Sequence, residues 1–343
     1  MTRQLKIVYL KPLSGYKTSL RSDTLWGLLC WGIRHLYGEE RLETFLDSYT
    51  EGKSPEWIIS STFPYKHDGK KRIPFFPKPF LPDAKEESSI SEKDKLRLRK
   101  KVKKMSWLEH SDFEKTLKGD LSQKDFLEQA QEEIPADASK IPPKEHRTIS
   151  MHNKIDRLRL STFEAPDGGQ LFQTENVFWE DLTNESDEKE TTGLFFLADV
   201  RDDAALNLLI SVLRLYRHFG MGGNRSVGSG FFEPAINNFT LNESSEANAL
   251  VNLSLFQPMD KDLDNLDTHF TEGGVYRYEL EQRIGKTGFY PNTQPKKATT
   301  FFKEGSILPI DAFTMNGRFS GKLIKNFDKN FTNGYGFMVK MKI

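Results

Sequence analysis

The residues with the clearest chemical potential lie in one glycine-rich segment that reads GMGGNRSVGSGFF. Its five glycines surround an Asn224-Arg225-Ser226 core and are Gly220, Gly222, Gly223, Gly228 and Gly230. Glycine admits positive φ and lets a ligand approach the main chain closely. An arginine beside backbone N–H groups supplies the donors that a phosphate accepts from. The segment therefore predicts a phosphate-binding loop, whereas a plain helix-to-strand turn would explain only one or two of the glycines.

The known nucleotide-binding fingerprints do not fit this segment. The G-x-G-x-x-G form needs a glycine where Arg225 stands, and it follows a strand and opens a helix. Here a helical pattern comes first and a strand pattern second. The P-loop form needs a lysine where Ser229 stands, and the G-K-T triplet at Lys286 has Leu280 in place of the leading glycine. These mismatches favour contact with a phosphate backbone over a nucleotide fold.

A second candidate element is a basic β-hairpin over 152–179. Its predicted arms are Ile155–Leu160 and Leu171–Phe178, with a turn signal at Asp167-Gly168-Gly169. The expected nucleic-acid contacts on it are His152, Asn153, Arg157, Arg159 and Phe172. Arginine pairs with phosphate, and an aromatic ring stacks on a splayed base.

The pattern of titratable residues gives little support for catalysis or metal binding. None of the seven histidines forms an H-x-x-x-H pair, so neither a metal nor another cofactor is expected. General acid–base cleavage of RNA would need a positioned histidine, for which His152 and His35 are the candidates. Asp23, in an S-D-T setting at a helix start, is a more natural helix cap than a catalytic acid.

Composition bounds the class of protein. The 343 residues carry 49 basic and 49 acidic side chains, so a basic face must arise from segregation of charge. Cys30 is the only cysteine, which excludes an intrachain disulfide and fits a reducing cytoplasm. The N-terminal apolar stretch is too short for a signal peptide, and no run approaches a membrane span. A cytoplasmic protein without membrane contact is expected.

The pattern of elements predicts two units. Residues 1–240 read as strand Leu5–Leu10, a helix from Ser22 to Gly38, strand Glu56–Phe63, strand Gly193–Val200, a helix after Asp203 and a strand after the glycine loop. Residues 66–150 interrupt this order as a charged, proline-punctuated insertion with few apolar anchors, expected to be partly mobile. Residues 247–343 contain a second set of strands. A G-x-G-F echo at 228 and 334 leaves duplication of a β-α-β-β-α-β unit open.

These segments together resemble the RAMP superfamily of CRISPR effector proteins, and more narrowly the type III-A (Csm) subunit that binds the 5′ handle of the crRNA. The resemblance rests on four stretches in order, which are SDTLWGLL from Ser22, IDRLRLST with GGQLFQTE from Ile155, the glycine loop, and RIGKT with EGSIL and GYGF from Arg283. The first and last stretches add Ser22, Thr24 and Lys286 to the expected RNA contacts.

The resemblance implies an α+β fold of two ferredoxin-like (RRM-related) domains with antiparallel sheets, a long insertion and a β-hairpin thumb. It implies that the glycine loop lies against the RNA backbone and that the hairpin crosses the guide. It also implies contacts with a large polymerase/cyclase subunit and a backbone RAMP subunit, and no self-assembly. The related backbone subunit has an acidic catalytic loop after its first strand. Residues 11–17 of this chain have no acid, so the chain is expected not to be an enzyme.

Three functions follow as hypotheses. The first is a non-catalytic crRNA-handle binder that takes part in antiviral defence within a ribonucleoprotein complex. The second is a metal-independent endoribonuclease that processes pre-crRNA through His152 or His35. The third is a protein-interaction scaffold without RNA contact.

Overall fold

The computed structural model describes residues 4–17, 20–67, 70–82, 92–130, 140–162, 164–165, 168–169, 171–179, 192–271, 276–285, 295–313, 320–327 and 330–343. The α-helices in these ranges are α1 Ser22–Asp47, α2 Glu92–Lys104, α3 His110–Lys118, α4 Gln123–Gln129, α5 Asp203–Phe219 and α6 Asp260–Thr271. None of them is both long and apolar enough to span a bilayer.

The strands are mostly short and fall into one large sheet and several small ones. They are β1 Gln4–Pro12, β2 Trp57–Ile59, β3 Phe63–His67, β4 Arg72–Pro77, β5 Trp107–Glu109, β6 Glu145–Asn153, β7 Ile155–Asp156, β8 Ser161–Thr162, β9 Glu164–Ala165, β10 Gly168–Gly169, β11 Leu171–Trp179, β12 Thr192–Val200, β13 Phe232–Asn238, β14 Ala249–Asn252, β15 Leu280–Arg283, β16 Thr299–Phe302, β17 Ile307–Pro309, β18 Leu323–Phe327, β19 Asn330–Asn333 and β20 Met338–Met341.

The large sheet is antiparallel throughout, with strand order β13-β1-β12-β3-β4-β5 and β2 beside β12. Strand β1 leads through α1 to β2 and β3, and β12 leads through α5 to β13. This is the β-α-β-β-α-β order with its last strand beside its first. The predicted α+β class with antiparallel sheets is confirmed.

Successive residues of a strand point to opposite sides of the sheet. Both sides of this sheet are buried. Val8 and Leu10 face a core that α1 and α5 cover, whereas Ile7 and Tyr9 face a second core. Helix α1 does not stop at the predicted glycine. Gly38, at φ 83°, kinks it, and a second helical stretch continues to Asp47.

The second core joins the two units of the chain. In the C-terminal part, β17, β14 and β20 form a three-stranded antiparallel sheet, and Val251, Ile307 and Val339 from these strands pack with Ile7 of β1. The described residues of 247–343 include one helix, α6. A second ferredoxin-like domain therefore stays a prediction for this part.

The insertion between 66 and 150 contributes to the same core. Strands β4 and β5 extend the large sheet, and the rings of Phe76 and Phe113 stack with centroids 4.5 Å apart. Val102 and Phe126 are also buried there. The expectation that this segment has too few apolar anchors is wrong for its described residues, since their aromatic and aliphatic side chains pack onto the sheet.

The predicted hairpin is present but begins earlier. Its long arms are β6 and β11, which pair in register from Glu145 opposite Trp179 to Asn153 opposite Leu171. The predicted first arm, Ile155–Leu160, instead forms the short strand β7 and a turn. The spacing of Ile155, Arg157 and Arg159 mimics strand alternation, which is why the sequence placed the arm there.

Candidate nucleic-acid interface

The base of the glycine loop is fixed by backbone hydrogen bonds. The Met221 amide donates to the Gly230 carbonyl at 2.7 Å, and the Gly230 amide donates to the Gly15 carbonyl at 2.9 Å. Gly230 has φ 78°, and a Cβ on it would lie 2.0 Å from the Met221 carbonyl oxygen. This position therefore requires glycine on both conformational and steric grounds.

The tip of the loop faces solvent. Asn224 adopts a left-handed conformation at φ 59°, a 3-10 turn covers Arg225–Val227, and Gly228 follows at φ 90°. Arg225 and Ser226 are exposed, and the space around Gly228 is open. The guanidinium of Arg225 is thus presented by a hydrogen-bonded turn, in which the Val227 and Ser229 amides donate to the Asn224 carbonyl.

The loop offers fewer backbone donors to a ligand than its glycine content suggests. Many of its amides donate to carbonyl oxygens of the protein itself, and these are the amides of Gly220, Met221, Val227, Gly228, Ser229 and Gly230. Main-chain contact with a phosphate is therefore predicted only for the other amides of the loop, and the exposed Arg225 and Ser226 side chains remain predicted contacts.

Beside the tip lies a cleft of about 670 Å³ between the start of α1, the glycine loop and the C-terminal part, here named the loop cleft. Its basic lining residues are Arg225, Arg283, Lys296 and Lys297, and its acidic one is Asp23. Burial lowers the pKa of Lys296, whose ammonium donates to the Phe331 carbonyl at 3.2 Å. Burial likewise raises the pKa of Tyr216, which also lines the cleft, to about 12.

Two of the first three residues of α1 line the loop cleft, and the third is buried. Thr24 lines the loop cleft. Asp23 binds the Arg283 guanidinium at 2.9 and 3.2 Å. Ser22 is fully buried, and its hydroxyl accepts from the Leu255 amide at 2.8 Å. The prediction that Ser22 contacts RNA is wrong, because its side chain joins the two units instead. Nor do Ser22 and Asp23 cap α1, whose cap residue is Arg21.

On the hairpin, His152 and Phe172 face each other across the strands. Their rings stack with centroids 5.5 Å apart, and His152 Nε2 lies 2.6 Å from the Thr174 hydroxyl. Phe172 remains 48% exposed, and Asn153 is exposed beside it. An imidazole engaged on its Nε2 and on one ring face is better placed to support Phe172 than to shuttle a proton.

Arg157 and Arg159 lie at the turn beyond the paired arms. Asp156 organises this turn by accepting from the Leu158 and Arg159 amides at 2.9 and 3.2 Å. Both arginines are exposed, and Leu158 is 97% exposed. The tip therefore presents cations and an aliphatic surface together.

Gly15 links the hairpin to the glycine loop, a role that no pattern in its local sequence indicates. It accepts the Gly230 amide, and a Cβ on it would lie 2.5 Å from the Phe178 ring. Next to it, Tyr16 and Val177 exchange both backbone hydrogen bonds. The two predicted RNA-binding elements, the glycine loop and the hairpin, thus both contact the same part of the β1–α1 connection.

The remaining residues that the sequence suggested for binding or catalysis are Lys286 and His35. Lys286 lies outside the described residues. His35 is exposed at the mouth of the loop cleft, beside the Trp31 ring at 6.0 Å. In the part of the chain that the structure describes, no three His, Cys, Asp or Glu side chains converge as a metal site would require. Arg283, Lys296 and Lys297 were missed, since nothing in their local sequence shows that they face the glycine loop.

Solved structures with a similar fold come from CRISPR assemblies. A chain of a Csm3-Csm4 subcomplex of the type III-A CRISPR-Cas interference complex aligns with TM-score 0.59 and 20% identity over 98% of this chain and 100% of that one. A chain of a Csm1-Csm4 cassette in complex with AMPPNP aligns with TM-score 0.57 and 17% identity, over 99% and 98%. At these identities the likeness establishes the fold.

The sequence relatives also belong to CRISPR systems. The CRISPR system Cms protein Csm4 of Methanocaldococcus jannaschii is 32% identical over 186 residues, which are 48% of this chain and 45% of that protein. The protein of that name from Thermococcus onnurineus is 23% identical over 229 residues, 66% of each chain. The match thus spans about half the length of the first relative and about two thirds of the second. The family model described as the RAMP superfamily matches residues 12–233, more than half of the sequence, and the chain therefore belongs to the RAMP superfamily.

Proposed function

We propose that the chain is a non-catalytic crRNA-binding subunit of a type III-A CRISPR effector complex, and that it holds the repeat-derived 5′ handle of the guide. The handle would lie along the loop cleft with phosphates at Arg225 and Ser226. The observation that carries the proposal is the placement of the exposed Arg225 turn beside a cleft with four basic residues and one acidic residue.

The electrostatics of the cleft favour a polyanion. Asp23 is neutralised by Arg283, so the positive charge of Arg225 and Lys297 remains uncancelled within the cleft. Burial of Lys296 disfavours its charged form, and a phosphate nearby would restore it. RNA held in extended form through phosphates and 2′-hydroxyls needs this kind of surface rather than a base-reading groove.

The hairpin would act as a thumb that crosses the RNA. Phe172, supported by His152, offers an exposed ring on which a splayed base can stack, worth about 1–3 kcal/mol. Arg157 and Arg159 at the tip would pair with phosphate. Exposed aliphatic side chains on the same element suit a partner subunit, and they are Ile149, Met151, Ile155, Leu158, Leu160 and Leu171.

The geometry gives cleavage chemistry little support. His152 is engaged by Thr174 and Phe172, and His35 stands beside Trp31 on an exposed helix surface. Residues 11–17 contain no acid, so the loop that is acidic in the related backbone subunit is basic here. We therefore assign the chain a binding role.

The assembly partners would be the large polymerase/cyclase subunit and a backbone RAMP subunit. The proposal draws on the similar chains, which come from Csm1-Csm4 and Csm3-Csm4 complexes. The chain would work inside the cytoplasmic complex and not as a homo-oligomer. Co-expression with each partner, followed by size-exclusion chromatography, tests this, and elution of the chain apart from both would contradict it.

The RNA-binding proposal is tested with Arg225→Glu and the matched control Arg214→Glu, which changes an exposed arginine of α5. Loss of one charged hydrogen bond costs about 1.5–3 kcal/mol, so handle RNA should bind about tenfold more weakly or worse. The slope of log Kd against log salt should fall by about 1, which is the contribution of one phosphate contact. Fluorescence anisotropy with a labelled handle oligonucleotide measures both.

Equal binding by wild type and Arg225→Glu would contradict the Arg225 contact, and no binding of the handle RNA by the wild type would favour the scaffold without RNA contact. Incubation of the wild type with repeat RNA in a chelator checks the remaining alternative. Site-specific cleavage that disappears in His152→Ala or His35→Ala would replace the binding role by an endoribonuclease.

A further inference from the structure

A second cleft lies between the insertion and the C-terminal part. It has a volume of about 720 Å³ and is here named the insertion cleft. Its walls are the residues after β4, the end of α2, the start of β5, and residues 277–279 with 303–304. None of the three functions considered from the sequence uses this surface.

The insertion cleft has an excess of positive charge. Its described lining holds six basic residues and two acidic ones. Both acids are already neutralised, because Glu279 accepts from Lys303 at 3.0 Å and Glu304 accepts from Arg21. Lys78 belongs to neither of these pairs.

Lys78 is the basic residue of the insertion cleft whose surroundings are best defined. Its ammonium lies 3.4 Å from the Val102 carbonyl and 3.4 Å from the Gln123 amide oxygen, and 5.5 Å from the centroid of the Phe126 ring. All three partners are uncharged. Burial lowers its pKa to about 8, which means that the site disfavours the cation unless an anion arrives.

Four aromatic residues line the same cleft, and they are Phe63, Phe80, Trp107 and Tyr278. Trp107 is half-buried and packs against the Phe63 ring at 6.0 Å, and Tyr278 is 40% exposed with its ring 5.2 Å from that of Phe302. The Trp107 and Tyr278 rings are each held by an edge contact with a buried neighbour. Positioned rings interleaved with basic side chains are the surface on which bases of a single strand stack.

An ion-paired chain of side chains separates this cleft from the loop cleft. Glu281 accepts from both Arg21 and Arg283; Arg283 also binds Asp23, and Arg21 also binds Glu304. Asp23 and Arg283 line the loop cleft, whereas Arg21 and Glu304 line the insertion cleft. The two clefts therefore adjoin across one row of paired charges.

We propose that the insertion cleft binds a segment of single-stranded RNA, with bases on Trp107 and Tyr278 and a phosphate at Lys78. The inference rests on the proposed function in that the same class of ligand would continue from the loop cleft across the ion-paired row. It adds a second site in which the insertion contributes to the binding surface. This site has its own aromatic rings and its own cation, and it uses no residue of the glycine loop.

The test is photocrosslinking of the full chain to a single-stranded RNA that contains 4-thiouridine at every uridine, with crosslinked peptides identified by mass spectrometry. Crosslinks are expected on the peptides that contain Trp107 and Tyr278. Lys78→Met and Trp107→Leu should each lower those crosslinks about tenfold, whereas Lys100→Met on the exposed surface of α2 should leave them unchanged. Circular dichroism melting identifies any variant that fails to fold, and Tyr278→Ala, on an exposed position, then serves in its place.

The outcomes separate this inference from the proposed function. Crosslinks at Trp107 and Tyr278 but not at the glycine loop would support the second site and contradict the handle proposal. Crosslinks at the loop alone, or crosslinks at Trp107 that Lys78→Met leaves intact, would overturn the inference. Binding of AMP or ATP that displaces the RNA from Trp107 with equal affinity per molecule would also overturn it, because the cleft would then be a mononucleotide pocket.

Discussion

The loop cleft and the insertion cleft both carry more basic than acidic residues, but they are built by different means. The loop cleft depends on local turn chemistry, since Gly230 and Asn224 adopt positive φ and set the position of Arg225. The insertion cleft depends on packing between residues far apart in sequence, such as Lys78 against Phe126 and Trp107 against Phe63. Turn chemistry can be read from a sequence, whereas long-range packing of an insertion cannot.

The largest effect should come from a substitution at the base of the loop. Gly230→Ala places a Cβ 2.0 Å from the Met221 carbonyl oxygen at φ 78°. The left-handed backbone costs about 1–2 kcal/mol and the overlap about 1–3, so the loss should be about 2–5 kcal/mol in the free energy of unfolding. Chemical denaturation measures it, and handle RNA affinity should fall with it.

Gly228→Ala is the matched control for that prediction. Its φ is also positive, at 90°, but the space around its Cβ is open, so only the backbone cost of about 1–2 kcal/mol applies. Equal losses in the two variants would mean that the base of the loop is not held against Gly15 as described. The insertion cleft should keep its RNA crosslinks in both variants, provided that they remain folded.

The ion-paired row between the clefts should have an intermediate effect. Glu281 is partly buried, and although burial raises its pKa, hydrogen bonds and charge from Arg21 outweigh this and lower it. The stabilisation is therefore present above about pH 4.3 and is lost as pH falls through the lowered pKa. Glu281→Gln should cost about 1–2 kcal/mol at pH 7 and much less near pH 3.

Thermal unfolding of Glu281→Gln and Glu279→Gln across this pH range measures the effect. Glu279 is more exposed, and its ion pair among the described residues is with Lys303, so its substitution should change stability by well under 1 kcal/mol. A Glu281→Gln penalty that stays constant from pH 7 to pH 3 would show that the row does not join the clefts electrostatically.

The smallest effect should come from Lys78, and it should appear at alkaline rather than acidic pH. Its folded pKa of about 8 lies below the ordinary lysine value of about 10.4, so between these values the unfolded chain binds more protons. Stability should therefore rise with pH across this window, by about 1 kcal/mol after allowance for partial exposure. Lys78→Met should abolish the rise and Lys100→Met should not. A rise that persists in Lys78→Met would remove the desolvated ammonium from the description of the cleft.

Sequence patterns predicted the parts of the molecule that local chemistry determines. The strand of Ile7 and Val8, the helix that ends before Gly220, and the exposed Arg225 follow from alternation, helical spacing and glycine placement. The same reasoning misplaced the first hairpin arm at Ile155–Leu160, because alternation over a few residues does not distinguish a strand from a tip.

Other features were hidden because they arise from tertiary contacts. Ser22 has the residue type of a helix cap, yet its hydroxyl accepts a hydrogen bond from the Leu255 amide of the other unit. The charged composition of the insertion concealed Phe76 and Phe113, whose burial depends on the sheet that they extend. Lys296 and Lys297 become part of a site only when the C-terminal part packs beside the glycine loop.

Sequencing of the RNA that copurifies with the chain from its own cells determines whether the chain holds the 5′ end of a guide RNA, as we propose. We expect a uniform population whose 5′ ends all begin with one repeat-derived handle, and we expect its loss when Arg225 is replaced by glutamate. Copurified RNA with random 5′ ends, or no RNA beyond that of the Arg225→Glu variant, would contradict this proposal.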